Sequence, residues 1–168
     1  MLALAACSTS VGTPTTATTP TLPPATPGTT APVTQTTVSS TAHDEVGLPT
    51  IDVVVGDVEL RVWVADDGAE RSRGLRRVEA LPDDIDGMLF AWDSPTATAF
   101  VMEDTLIPLD VWFFDDEGAL LGTHAMTPCA DEPCPTYPTP GPVRWALETP
   151  LEAQQFEEGA RLTTSTSG

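Results

Sequence analysis

From Thr50 onward apolar and polar residues alternate. Val58, Leu60, Val62 and Val64 interleave with Glu59, Arg61 and Trp63, and a two-residue period puts successive side chains on opposite faces of a strand. Ile51, Val53 and Val55 carry the same period, and Gly56-Asp57 can turn the chain between the two runs, which predicts a hairpin. Further strands are expected over residues 87–92, 98–102, 109–114, 119–124 and 143–147, with a last short one at 161–162. The DDEG stretch at 115–118 reads as the turn of a second hairpin. Helical signals are few. Asp66-Asp67-Gly68 offers a start for a short, Arg-rich helix over 69–77, and 151–156 is expected to form another. Many short strands with frequent turns predict a mainly β (α+β) fold: a compact antiparallel barrel or sandwich with one or two short helices.

N-terminal to residue 44 the alternation stops. Residues 8–43 are mostly Thr, Pro, Ser, Ala and Gly, a composition that cannot bury enough surface to offset chain entropy. They are expected to form an extended tether reaching roughly 100 Å, at about 3.1 Å per residue. Ahead of it stands Leu4-Ala5-Ala6-Cys7. An aliphatic residue, two small ones and a Cys resemble the lipobox of bacterial lipoproteins, whose Cys thiol receives a diacylglyceryl group. Two acyl chains suffice for stable membrane attachment. Only six residues precede Cys7 and none is basic, so a complete secretory signal is expected to begin upstream. The expected organisation is a signal remnant at 1–7, a tether at 8–43 and a folded domain at 44–168, lipid-anchored on the extracytoplasmic side of the cell membrane.

Charge narrows the partners. Against 25 Asp and Glu stand 7 basic residues, all Arg, for a net charge of -18. Such a surface repels nucleic acid and anionic headgroups. The two histidines, His43 and His124, fit no H-E-x-x-H or Ser-His-Asp spacing, and no G-x-S-x-G is present. No cofactor and no metal site are expected.

Three features stand out from this background. Asp110 interrupts the apolar run LDVWFF. Leu109, Val111 and Phe113 share one face of that strand, and Asp110, Trp112 and Phe114 the other, so both faces are apolar and the strand is expected to be central and covered. A carboxylate there must be hydrogen-bonded, paired or protonated. It is expected either to tie the strand to the 103–107 turn or to Arg73, Arg76 or Arg77, or to serve as an acid/base group at a pocket mouth. Arg73, Arg76 and Arg77 form the second feature. Read on a helix, their spacing puts Arg77 at i+4 and Arg76 at i+3 from Arg73. They either neutralise Glu70, Glu79 and Asp83 or form an anion site, because a guanidinium fork suits a carboxylate or a phosphate. The third is Cys129 and Cys134. With Cys7 lipidated, two cysteines remain in an exported chain, and a disulfide is expected.

The strings GMLF at 87–90, F-x-M-x-x-T-x-I-P-L-D at 100–110, the Asp-x-x-Gly turn, Pro-Cys…Cys-Pro-x-Tyr and a later Leu-Glu resemble the uncharacterised family called domain of unknown function 192, over about 51–162. The resemblance implies a small, mainly β, often exported domain and no particular reaction. Where the family has Gly-Leu-Met-x-Arg, this chain places Val78 at the Arg position. Where the family has Trp-Met-Lys-Asn-Thr, this chain reads Val101-Met102-Glu103-Asp104-Thr105, with two acids in place of Lys and Asn. Met102 and Thr105 therefore join the Arg cluster as candidate ligand-binding positions. The leading expectation is a tethered, non-enzymatic module that binds a small ligand or an envelope protein. The alternative is an enzyme acting on an envelope small molecule or glycan, using Asp110 with Glu103 or Asp104 as a carboxylate pair.

Overall fold

The computed structural model describes residues 47–164. The Cys7 lipobox, the tether and His43 lie outside the described residues. Strands β1 (Thr50–Val55) and β2 (Val58–Ala65) form the expected hairpin, and helix α1 (Gly68–Arg73) follows. Next come β3 (Gly87–Thr96), β4 (Ala99–Val101), β5 (Leu109–Phe114), β6 (Leu120–Met126), β7 (Thr136–Pro138), β8 (Val143–Pro150) and β9 (Leu162–Thr164). Seven strands make one curled sheet in the order β6-β5-β8-β3-β2-β1-β9, and β4 and β7 pair as a second, two-stranded sheet. β2 and β3 run parallel, because the chain returns through α1 and a long loop before re-entering the sheet, as a parallel crossover requires. The other neighbours are antiparallel. At one end the sheet edges meet, where Ala119 bridges Arg161. The mainly β, barrel-like expectation holds.

The two faces of the curled sheet carry separate apolar clusters. Val53, Val55, Leu60, Val62, Leu89, Trp112, Phe114, Leu147 and Leu162 fill one. The opposite face carries Trp63, Met88, Phe90, Val111, Phe113 and Ala146. It is roofed by Leu75 from the stretch after α1, by Ile85, and by Phe100 of β4, with Tyr137 of β7 packed against it. This roof explains why Trp63, which alternation placed on a polar face, is 2% exposed. The expected split of β5 is observed: Val111 and Phe113 lie in one cluster, Trp112 and Phe114 in the other.

The helix is shorter than expected. It ends at Arg73, and Gly74 follows at φ 49. That backbone region favours glycine, and a Cβ at Gly74 would stand 3.4 Å from Cζ of Phe90. The predicted i+3 and i+4 spacing of Arg76 and Arg77 on the helix of Arg73 therefore does not exist. Six residues make a poor helix alone, and α1 is held by its start. Asp67 Oδ1 accepts from the N–H groups of Ala69 and Glu70, each at 2.8 Å, while Glu70 Oε2 accepts from Asp67 N–H at 3.2 Å. This reciprocal box is worth about 1 kcal/mol. The second predicted helix, at 151–156, is also absent; 151–153 form a turn in which Ala153 N–H donates to Pro150 O. The predicted strand at 98–102 contracts to β4, whose partner β7 was hidden in the Pro- and Cys-rich loop. Cys129 and Cys134 form the expected disulfide, just ahead of β7.

Candidate functional site

Antiparallel pairing places Glu148 of β8 directly opposite Met88 of β3 and Val111 of β5. Directly paired residues project to the same side, so Glu148 faces the roofed cluster. There the roof is incomplete. A cleft of about 380 Å³ opens between α1 and β4, with Glu148 among its lining residues. Arg71, Arg73 and Arg76 line it from the helix side, and Phe90, Trp92 and Phe100 supply aromatic walls. Glu148 is 6% exposed. Burial, with no donor or cation among the described residues to offset it, pushes its carboxyl from 4.5 up to about 8. At neutral pH it is therefore a neutral acid that can donate a hydrogen bond.

Arg71 is fixed without being neutralised. Its Nη1 donates to the carbonyl of Asp66 and to that of Ala91, the latter at 2.7 Å. Its guanidinium carbon lies 5.5 Å from the Trp92 ring centroid. Both hydrogen-bond partners are carbonyls, so the cation keeps its full charge. Phe100 packs edge-on against Phe90 and Trp92, with centroids at 5.2 and 6.5 Å.

The sequence-predicted residues divide between the cleft and other sites. Arg73, Arg76 and Thr105 line the cleft. Arg77 does not. Arg76 pairs with Glu103 at 2.8 Å and Arg77 with Asp104 at 3.2 Å. The backbone joins them too, through Arg77 N–H to Asp104 O at 2.8 Å and a bridge between Arg76 and Thr105. The acids that distinguish this chain from the family pattern thus serve as counter-charges for the adjacent arginines, correcting the expectation that Glu79 and Asp83 would do so at Arg76 and Arg77. Glu70 is committed to the helix cap. These ion pairs are at least one-third exposed, so each is worth about 0–1 kcal/mol. Met102 is 1% exposed within the core and does not line the cleft.

Asp110 is on the other face. It pairs with Thr149, one position beyond Glu148, so its side chain points away from the cleft. Its Oδ2 accepts from Glu152 N–H at 2.8 Å. The expected partners, the 103–107 turn and the arginines, are replaced by the turn after β8. The antiparallel pairing of Leu109 with Pro150 brings that turn across the start of β5. Glu152 sits at φ 61, a strained region for a non-glycine residue, and the carboxylate holds it there. Replacing Asp110 with Ala is expected to cost about 1–2 kcal/mol and to lower the thermal midpoint by about 4–8 °C. Asp110→Asn, which keeps an acceptor, should recover most of the loss. Unchanged stability in Asp110→Ala, by differential scanning calorimetry, would remove this structural role.

Sequence reasoning missed Glu148 and Arg71. Glu148 carried the same signal as Asp110, an acid at the end of an apolar run, V-R-W-A-L-E. Arg71 had no such signal, because its anchor at Ala91 is 20 residues away.

Residues 51–163 match the family DUF192, described as "Uncharacterized ACR". Among solved structures, a candidate transcription regulator from Sinorhizobium meliloti is similar at 24% identity with a TM-score of 0.62, covering 70% of this chain and 95% of that one. A protein of unknown function from Novosphingobium aromaticivorans is similar at 25% identity with a TM-score of 0.62, covering 70% of this chain and 86% of that one. No curated protein matches the chain.

Proposed function

The chain belongs to the DUF192 family, and from that premise we propose that its folded domain binds a small molecule in the cleft between α1 and β4, without turning it over. One observation carries the reading: Glu148 is 6% exposed, lines the cleft, and has no donor or cation among the described residues. A carboxyl drawn this far out of water and open only to the cleft gains free energy from any donor or acceptor placed there, and a ligand in the cleft is the partner the fold leaves room for. The volume lies at the small end of ligand sites, and aromatic walls with a few polar groups are their usual lining. The carboxylate-pair enzyme loses its basis, because Asp110 faces away from the cleft and Glu103 and Asp104 are taken by Arg76 and Arg77. Among the described residues, no histidine or cysteine lines the cleft.

The same proposal sets the domain outside the cytoplasm, held through a lipid on Cys7, where it would meet envelope small molecules or an envelope protein. Supporting this are the Leu4-Ala5-Ala6-Cys7 string, the Thr- and Pro-rich stretch and a disulfide of the kind exported proteins keep. A thermal-shift screen of small molecules on the full chain, with Glu148→Met as the control, tests the cleft.

A further inference from the structure

Resting on that binding reading, we propose that the ligand is a small monocarboxylic acid with an apolar or aromatic body. Its carboxylate would lie on the Arg71 guanidinium and the Glu148 carboxyl, and its body against Trp92 and Phe100. The chain as a whole repels anions, with a net charge of -18, yet three of its seven basic residues line this one cleft. Arg76 has Glu103 as a counter-charge. Among the described residues, Arg71 has only carbonyl oxygens and an aromatic face as partners, so it is held in place without a counter-charge there. A pre-positioned guanidinium matches the two oxygens of a carboxylate.

Glu148 completes the receptor from the sheet side. Its proton, retained up to about 8, makes it a donor to an anion at neutral pH. Among the described residues, Arg71, Arg73 and Arg76 are the other charged groups on the cleft, and no second carboxylate lines it. Beside Glu148, β3 and β5 present Met88 and Val111. A cationic ligand would have to sit among three arginines. A multiply charged one would meet apolar walls and, at Arg76, a guanidinium already paired with Glu103. A monoanion with an apolar body fits both halves of the lining.

The test uses benzoate and phenylacetate as probes on the full chain, read by Trp fluorescence and isothermal titration, with benzamide and benzylamine as neutral and cationic counterparts. Both carboxylates should bind, more tightly than the amide and the amine. Affinity should be flat between about pH 6, where the probes are fully ionised, and about pH 8, and fall about tenfold per pH unit above it, as binding then requires Glu148 to regain its proton. Glu148→Gln, which keeps a neutral donor, should bind without that pH dependence, while Glu148→Met and Arg71→Gln should each bind at least tenfold more weakly. Tighter binding of benzylamine or benzamide, lost in Glu148→Met, would overturn the ligand class and leave the cleft standing as a site. Binding of benzoate unaffected by Glu148→Met, or binding by none of the probes, would overturn the proposal.

Discussion

The Glu148→Gln variant is expected to be more stable than the native chain by several kcal/mol above pH 8, and nearly equal to it below pH 4.5. In the unfolded chain the carboxyl titrates at its ordinary 4.5, and in the folded chain at about 8. Between those values the native state holds a proton that the unfolded state has lost. Native stability from this group is therefore complete below 4.5, falls as pH rises through the window, and is gone above about 8. Each pH unit of the window is worth ~1.4 kcal/mol. A glutamine has no proton to lose, so the difference between variant and native chain isolates Glu148 from the many other acids. Denaturant unfolding at pH values below, within and above the window measures it. A difference that does not change with pH would remove the buried acid from the cleft.

Gly87→Ala is expected to cost about 3 kcal/mol or more, or to prevent folding. A Cβ at Gly87 would lie 2.1 Å from the carbonyl oxygen of Glu148 and 3.2 Å from its carbonyl carbon. Neither is the movable end of a side chain; both are backbone atoms of β8, which Met88 pairs with in register. Relief would require β3 to separate from β8 in the middle of the seven-stranded sheet, disturbing the clusters on both faces. Gly87 thus sets how closely the two strands approach where Glu148 enters the cleft. Gly141→Ala, with nothing within 4 Å of its Cβ position, should change stability by no more than about 0.5 kcal/mol. Denaturant midpoints compare the two. Equal, small losses would mean that the close approach at Gly87 does not constrain the sheet.

Most strands were readable from alternation, because a period of two is a local property. The two-faced burial of β5 followed from LDVWFF alone, and so did the need for a partner at Asp110. Its partner was not readable, since Glu152 reaches it only through the pairing of β5 with β8, 42 residues along the chain. The length of α1 was overestimated because Arg-rich sequence favours a helix, while Gly74, close against Phe90, ends it. The site divided in the same way. Arg73, Arg76 and Thr105 were visible as a local cluster and a family motif. Glu148 and Arg71 acquire their significance from what the sheet and roof leave open between them.

The most direct test of the cleft as a ligand site is the small-molecule screen on the full chain, run side by side on the native protein and Glu148→Met. Expected are compounds that raise the unfolding temperature of the native chain and lose that effect in the variant, while an Asp110→Asn control keeps it because Asp110 lies on the opposite face. A set of binders that stabilises native and Glu148→Met protein equally would contradict the assignment of the cleft.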